Sequence, residues 1–114
     1  MWRDDAYLLD ILIAAKRAKE FAADIAWTDF QKSSLHQHAI MKTLEIIGEA
    51  ANKISQEVKD AHPEIPWKEI VGMRNRLIHE YFSIDAEKVW DTVQNDIPVL
   101  IKLVEPLVPP EEES

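Results

Sequence analysis

Cysteine is absent from the 114 residues, so neither a disulfide framework nor a thiolate metal site can form. Glycine occurs only twice, which argues against a turn-rich β protein. No apolar run approaches the ~20 residues needed to cross a bilayer. The opening Met1-Trp2-Arg3-Asp4-Asp5 lacks the basic-then-apolar pattern of a secretory signal. The expected compartment is therefore the cytoplasm, with no membrane association. Positive charge is scarce as well: 13 Lys and Arg stand against 21 Asp and Glu, a net charge of −8. A protein that coats nucleic acid has the opposite balance, although a small basic patch acting locally is compatible with that total. Glu111, Glu112 and Glu113 follow Pro109-Pro110 as a solvated acidic tail.

What the chain does have is hydrophobic residues, 46% of the total. That content and length suit a single domain around one core, expected over residues 1–108, with 109–114 as a disordered tail. Spacings of three and four dominate. Leu8, Ile11, Leu12, Ala15, Ala18, Ala22 and Ile25 predict a first helix over about 4–26, with Asp4 and Asp5 at its positive end. Tyr7, Leu9 and Phe21 widen its apolar face enough for a second partner surface. Thr28 or Asp29 is the expected cap of the next helix, which Leu35 to Ile54 carry over about 30–58. Gly48 is placed either to bend that helix or, with Ala50 and Ala51, to let a neighbouring backbone come close. Pro63 and Pro66 enforce a loop, and Pro66 is placed to start a third helix over about 67–82. After a turn capped by Ser83 or Asp85, a fourth helix is expected to run to about 106, kinked or split at Pro98. The expected fold class is all-α: an antiparallel up-and-down four-helix bundle.

The third helix carries more polar groups than a core helix needs. It reads Val71-Gly72-Met73-Arg74-Asn75-Arg76-Leu77-Ile78-His79-Glu80-Tyr81-Phe82. At ~100° per residue Asn75 and His79 share a face, while Arg74 and His79 lie ~140° apart. The reach of an arginine side chain permits a converging Arg–Asn–His cluster. Such a cluster suits RNA cleavage without a metal. His79 titrates near neutrality and can take a proton from a 2′-hydroxyl or give one to the leaving oxygen. Arg74 can hold the phosphate with two parallel hydrogen bonds, and Asn75 can orient either partner. Arg76 points elsewhere and is a candidate partner for Glu80.

The spacing from Arg74 over four residues to His79, then Tyr81, resembles the R-x4-H-x-Y motif of the HEPN superfamily. More narrowly, it is similar to the HepT-like toxins paired with minimal nucleotidyltransferase antitoxins. Ile46-Ile47-Gly48-Glu49-Ala50-Ala51 and Pro63-Glu64-Ile65-Pro66-Trp67 sit where that family carries similar segments. The resemblance implies a HEPN-like helical bundle and the toxin half of a type VII-like toxin–antitoxin pair. It implies a metal-independent endoribonuclease needing no cofactor, with Arg74 and His79 catalytic and two copies of the pair lining one groove of a homodimer. It also implies that Tyr81 accepts AMP from the antitoxin, adding bulk and negative charge beside Arg74. The chain has no Gly-Ser followed by paired aspartates, so the nucleotidyltransferase is expected as a separate partner and RNA as substrate.

Plainer readings stand beside these. Arg74 can be an interhelix ion-pair residue, His79 an interior histidine bonded to a carbonyl, and Tyr81 a core-edge aromatic. A catalytically inactive dimeric bundle that binds a nucleotidyltransferase is the alternative function. His36 and His38 point ~200° apart on a helix and read as polar surface, with no metal. Glu45 and Glu49 read as a solvated stripe or as partners of Lys42 or Lys53, with Glu49 also placed to support Arg74. Trp2, Trp27, Trp67 and Trp90 read as packing anchors.

Overall fold

The computed structural model describes residues 2–79 and 85–109. Among them every regular element is helical: α1 (Trp2–Ala23), α2 (Trp27–Lys32), α3 (Ser34–Lys53), α4 (Gln56–Ala61), α5 (Trp67–His79), α6 (Ala86–Asp91) and α7 (Ile97–Val104). A π turn over Thr92–Asp96 joins α6 to α7, and a 3-10 turn over Glu105–Leu107 follows. The all-α bundle class therefore holds. No helix among the described residues is long and apolar enough to cross a membrane.

The stripes read from the sequence form the core. Leu8, Ile11, Ala15 and Ala18 of α1 close on Ile40, Leu44, Ile47 and Ala51 of α3, all buried. α1 lies between α3 and α7, and α3 lies between α1 and α5. Neighbours in this row run antiparallel. Asp4 near the start of α1 meets Ser55 just past α3, and Lys16 reaches Glu105 beyond α7. The outer members of the row, α5 and α7, leave a cleft of about 360 Å³ between them, lined by Ile70, Met73, Ile97, Leu100 and Leu103 over Ile47.

Several boundaries differ from expectation, each for a local reason. The helix expected over 30–58 is three. Ser33 ends α2 and caps α3, its hydroxyl oxygen accepting the His36 N–H at 3.2 Å. The Gln37 amide donates to the Phe30 carbonyl at 2.9 Å and the Gln31 carbonyl at 3.1 Å, filling acceptors that the end of α2 leaves open. At the far end Ile54 turns extended and Ser55 caps α4 by accepting the Val58 N–H at 3.3 Å. The N-cap of α2 is Ala26, with no side-chain bond, so neither Thr28 nor Asp29 caps it. Instead Phe30 holds α2 down: fully buried, its ring lies 5.0 Å from that of Trp90, with Trp27 6.0 Å from Trp90. Asp85 caps α6 through the Lys88 N–H. α3 continues as one helix through Gly48. The last helical run passes into α7 through the π turn, in which the Ile97 N–H bonds the Thr92 carbonyl immediately before Pro98. The expectations for Glu80, Tyr81, Ser83, the helix end at 82 and residues 110–114 lie outside the described residues.

Candidate active site

α5 is positioned by its entry. Trp67 is buried with its indole N–H on the His62 carbonyl at 3.0 Å. The Pro66 carbonyl accepts the Ile70 N–H at 3.1 Å, which starts the helix where the sequence placed it. Ile70 and Leu77 are buried against α3 and Val71 is half-buried.

The two helices meet most tightly at Gly48. A β-carbon there would lie 2.1 Å from the Arg74 Cβ and 2.8 Å from its Cγ. Any other residue would push α5 away, so of the two roles open to Gly48 the close approach applies. This contact threads the base of the Arg74 side chain over the α3 backbone and delivers its guanidinium to the edge of α3.

There the guanidinium is only lightly engaged. Its Nη1 donates to the Asn75 Oδ1 at 3.1 Å, and its Nη2 stands 3.8 Å from the Glu49 Oε1, long for a charged hydrogen bond. Nε is buried and has no partner among the described residues. The Arg74 side chain is 32% exposed and that of Glu49 is 47% exposed. A guanidinium locked into the fold would have short bonds on most of its five N–H groups. This one keeps donors available to an outside acceptor. The structure thus brings Arg74, Asn75 and Glu49 together. His79 ends α5, and its side chain lies outside the described atoms, as does Tyr81 as a whole. Arg76 takes the other flank of α5, lining a small cleft of about 120 Å³ with Met41, Met73 and Lys88.

The remaining candidates are plain. His36 and His38 bond the Ser33 hydroxyl at 2.6 Å and the Ser34 carbonyl at 2.7 Å. Glu45 pairs with Lys42 at 3.7 Å. One polar site had no signal in the sequence. Asp4 is 4% exposed and its carboxylate accepts both the Ser55 backbone N–H and the Ser55 hydroxyl at 2.8 Å. The backbone bond first, then the hydroxyl bond, holds the Asp4 carboxyl below the usual range against the opposing effect of burial.

Known proteins resemble this chain over almost its whole length. Residues 11–107 match the family model described as "Ribonuclease HepT-like". A Methanocaldococcus jannaschii protein named "Putative RNase" is 43% identical over 100 residues, covering 88% of this chain and 92% of that protein. A Thermococcus cleftensis protein named "Probable ribonuclease HepT" is 46% identical over 94 residues, covering 82% and 86%. A Caldanaerobacter subterraneus protein, also named "Putative RNase", is 39% identical over 106 residues, covering 93% and 95%. No solved structure matches at the same stringency.

Proposed function

The chain belongs to the HepT-like ribonuclease family, and from that premise we propose that it is a metal-independent RNA endonuclease of the cytoplasm. Its catalytic residues are Arg74 and His79, with Asn75 supporting. The observation that carries this reading is the Arg74 guanidinium, a third of its side chain exposed and its Nη groups held only by Asn75 and a long contact to Glu49, on the helix that His79 ends.

In the proposed reaction an RNA phosphate accepts two N–H groups of Arg74. His79 of one copy removes the proton from the 2′-hydroxyl, whose oxygen forms a bond to phosphorus. The bond from phosphorus to the 5′-oxygen breaks, and that oxygen takes a proton from the second copy's His79, which enters the step as imidazolium. The products are a 2′,3′-cyclic phosphate and a 5′-hydroxyl. Arg74 acts by stabilising the charge that grows on the phosphoryl oxygens. The working unit is a homodimer, because acid and base are both imidazoles and each chain supplies one His79.

Control comes from a separate nucleotidyltransferase antitoxin. It transfers AMP to Tyr81, two residues beyond His79, and the added phosphate repels RNA from Arg74. The net charge of −8 favours a second reading, an inactive dimeric bundle that serves only as that partner's substrate. Cleavage of a labelled single-stranded RNA in EDTA separates the two. Wild-type protein should cut and leave cyclic phosphate, while His79→Ala falls at least ~100-fold with an unchanged melting temperature. Equal rates for both proteins would remove the nuclease. Intact mass after incubation with the partner and ATP should rise by AMP in wild type and not in Tyr81→Phe.

A further inference from the structure

We propose that the open side of the α1–α3 pair is where a second copy of this chain docks, with the two α1 helices antiparallel about a twofold axis between Ile13 and Ala14. This names the face of the homodimer proposed above and rests on that reading for the dimer's existence.

Among the described residues α1 and α3 form the most extensive helix pair, and α7 and α5 flank it. On its uncovered side lies a shallow groove of about 480 Å³ that includes Asp10, Ile13, Arg17 and Phe21 of α1 and Ala39 and Ile46 of α3. Ile13 is 41% exposed and Phe21 is 40% exposed. Two large apolar side chains open to water in one groove mark a surface that gains by being covered.

The charge pattern selects the occupant. Asp10 and Arg17 stand seven residues apart, two helical turns, so they fall on one stripe of α1. They are also equidistant from the point between Ile13 and Ala14. A twofold axis through that point sets Asp10 of each copy opposite Arg17 of the other and brings the exposed Ile13 side chains of the two copies together beside the axis. It also lays Phe21 over the small Ala6. Neither Asp10 nor Arg17 has a hydrogen bond or ion pair among the described residues, so both charges are available. Two chains of charge −8 repel at a distance, and a face that joins them must be locally balanced. This groove holds one acid, Asp10, and one base without an ion pair among the described residues, Arg17, beside a Lys42 that pairs with Glu45. The cleft between α5 and α7 is the other apolar candidate. Its charged residues are Glu69 and Asp96, so a second copy seated there would meet like charge. On α3 the groove residue Ile46 precedes Glu49, the acid beside Arg74, by one turn. Docking on this face therefore brings the Arg74 edge of each copy to the margin of the seam.

The register makes a swap experiment decisive. In Asp10→Arg each copy opposes arginine to arginine, and in Arg17→Asp aspartate to aspartate. A one-to-one mixture of the two variants restores both opposite-charge pairs in the heterodimer. Sedimentation equilibrium on the full chain should find a wild-type dimer, a dimer dissociation constant raised at least about tenfold in either variant alone, and near wild-type association in the mixture. The restored mixture also demonstrates that both variants fold. Variants that dimerise like wild type, or a mixture that stays monomeric, would overturn this face and leave the homodimer standing. A monomeric wild type would remove both.

Discussion

Two of the polar pairs that join separate helices among the described residues are built in opposite ways. Asp4 and Ser55 are 51 residues apart and meet through two bonds of 2.8 Å on a carboxylate that is 4% exposed. Arg74 and Glu49 meet at 3.8 Å with roughly a third and a half of their side chains in water, and Nε of the arginine has no partner among the described residues. The first pair is saturated and joins the start of α1 to the start of α4, so its value is stability. The second wastes donors on the one residue that Gly48 gives way to accommodate. The contrast is between a polar group whose bonds are all short and inside the fold and one that keeps Nη donors at the surface.

Breaking the saturated pair should have the larger effect on stability. Asp4→Ala strands the Ser55 N–H and should cost about 2 kcal/mol in urea unfolding, with no change in RNA cleavage measured well below the melting temperature. The sign with pH is fixed by the direction of the shift. The folded carboxyl has a lower pKa than the unfolded one. Its contribution is thus complete above the unfolded value and is lost as pH falls through the lower folded value. Wild type should lose stability on acidification in that range more steeply than Asp4→Asn; matching slopes would show that this carboxylate is not the linked group.

Next comes Gly48→Ala. Alanine gains roughly 1 kcal/mol over glycine in a helix interior, but a β-carbon 2.1 Å from the Arg74 Cβ cannot be relieved by rotating a flexible tip. Overpacking of this kind costs about 1–3 kcal/mol, so the net should be a loss of about 1 kcal/mol together with weaker RNA binding. A variant as stable as wild type would mean that α5 shifts freely. The smallest effect belongs to Glu49→Gln. An exposed pair at this distance contributes under about 1 kcal/mol. Melting should scarcely move, while RNA affinity should rise a few-fold as the competing carboxylate disappears. A drop in affinity would instead make Glu49 a needed support for Arg74.

The legible parts of the molecule are those written in local periodicity. The stripes from Leu8 to Ala22 and from Ile40 to Ala51 specify α1 and α3 because burial on one face needs nothing beyond spacing. The entry to α5 is equally local, since Pro66 and Trp67 act on their immediate neighbours. The sequence leaves Gly48 open as a bend or a close approach and Glu49 as a solvated stripe, a partner of Lys42 or Lys53, or a support for Arg74. The close approach applies at Gly48, and Glu49 stands 3.8 Å from Arg74. The breaks at Ser33 and Ser55 were hidden because the apolar rhythm runs on through them. Serine interrupts a helix only when its hydroxyl is used as a cap, and at Ser55 that use is reinforced by Asp4, whose position is fixed by the tertiary fold. The π turn lies immediately before Pro98, the residue whose missing N–H and ring disturb a helix locally.

The central claim is that Arg74 is kept for a phosphate. It is tested most directly by the dissociation constant for a single-stranded RNA at two salt concentrations, comparing His79→Ala with His79→Ala carrying Arg74→Ala as well. The account predicts that removing the guanidinium weakens binding at least about tenfold, flattens the salt dependence by about one phosphate contact and leaves the melting temperature in place. Unchanged affinity with a melting temperature several degrees lower would make Arg74 a structural residue and contradict the account.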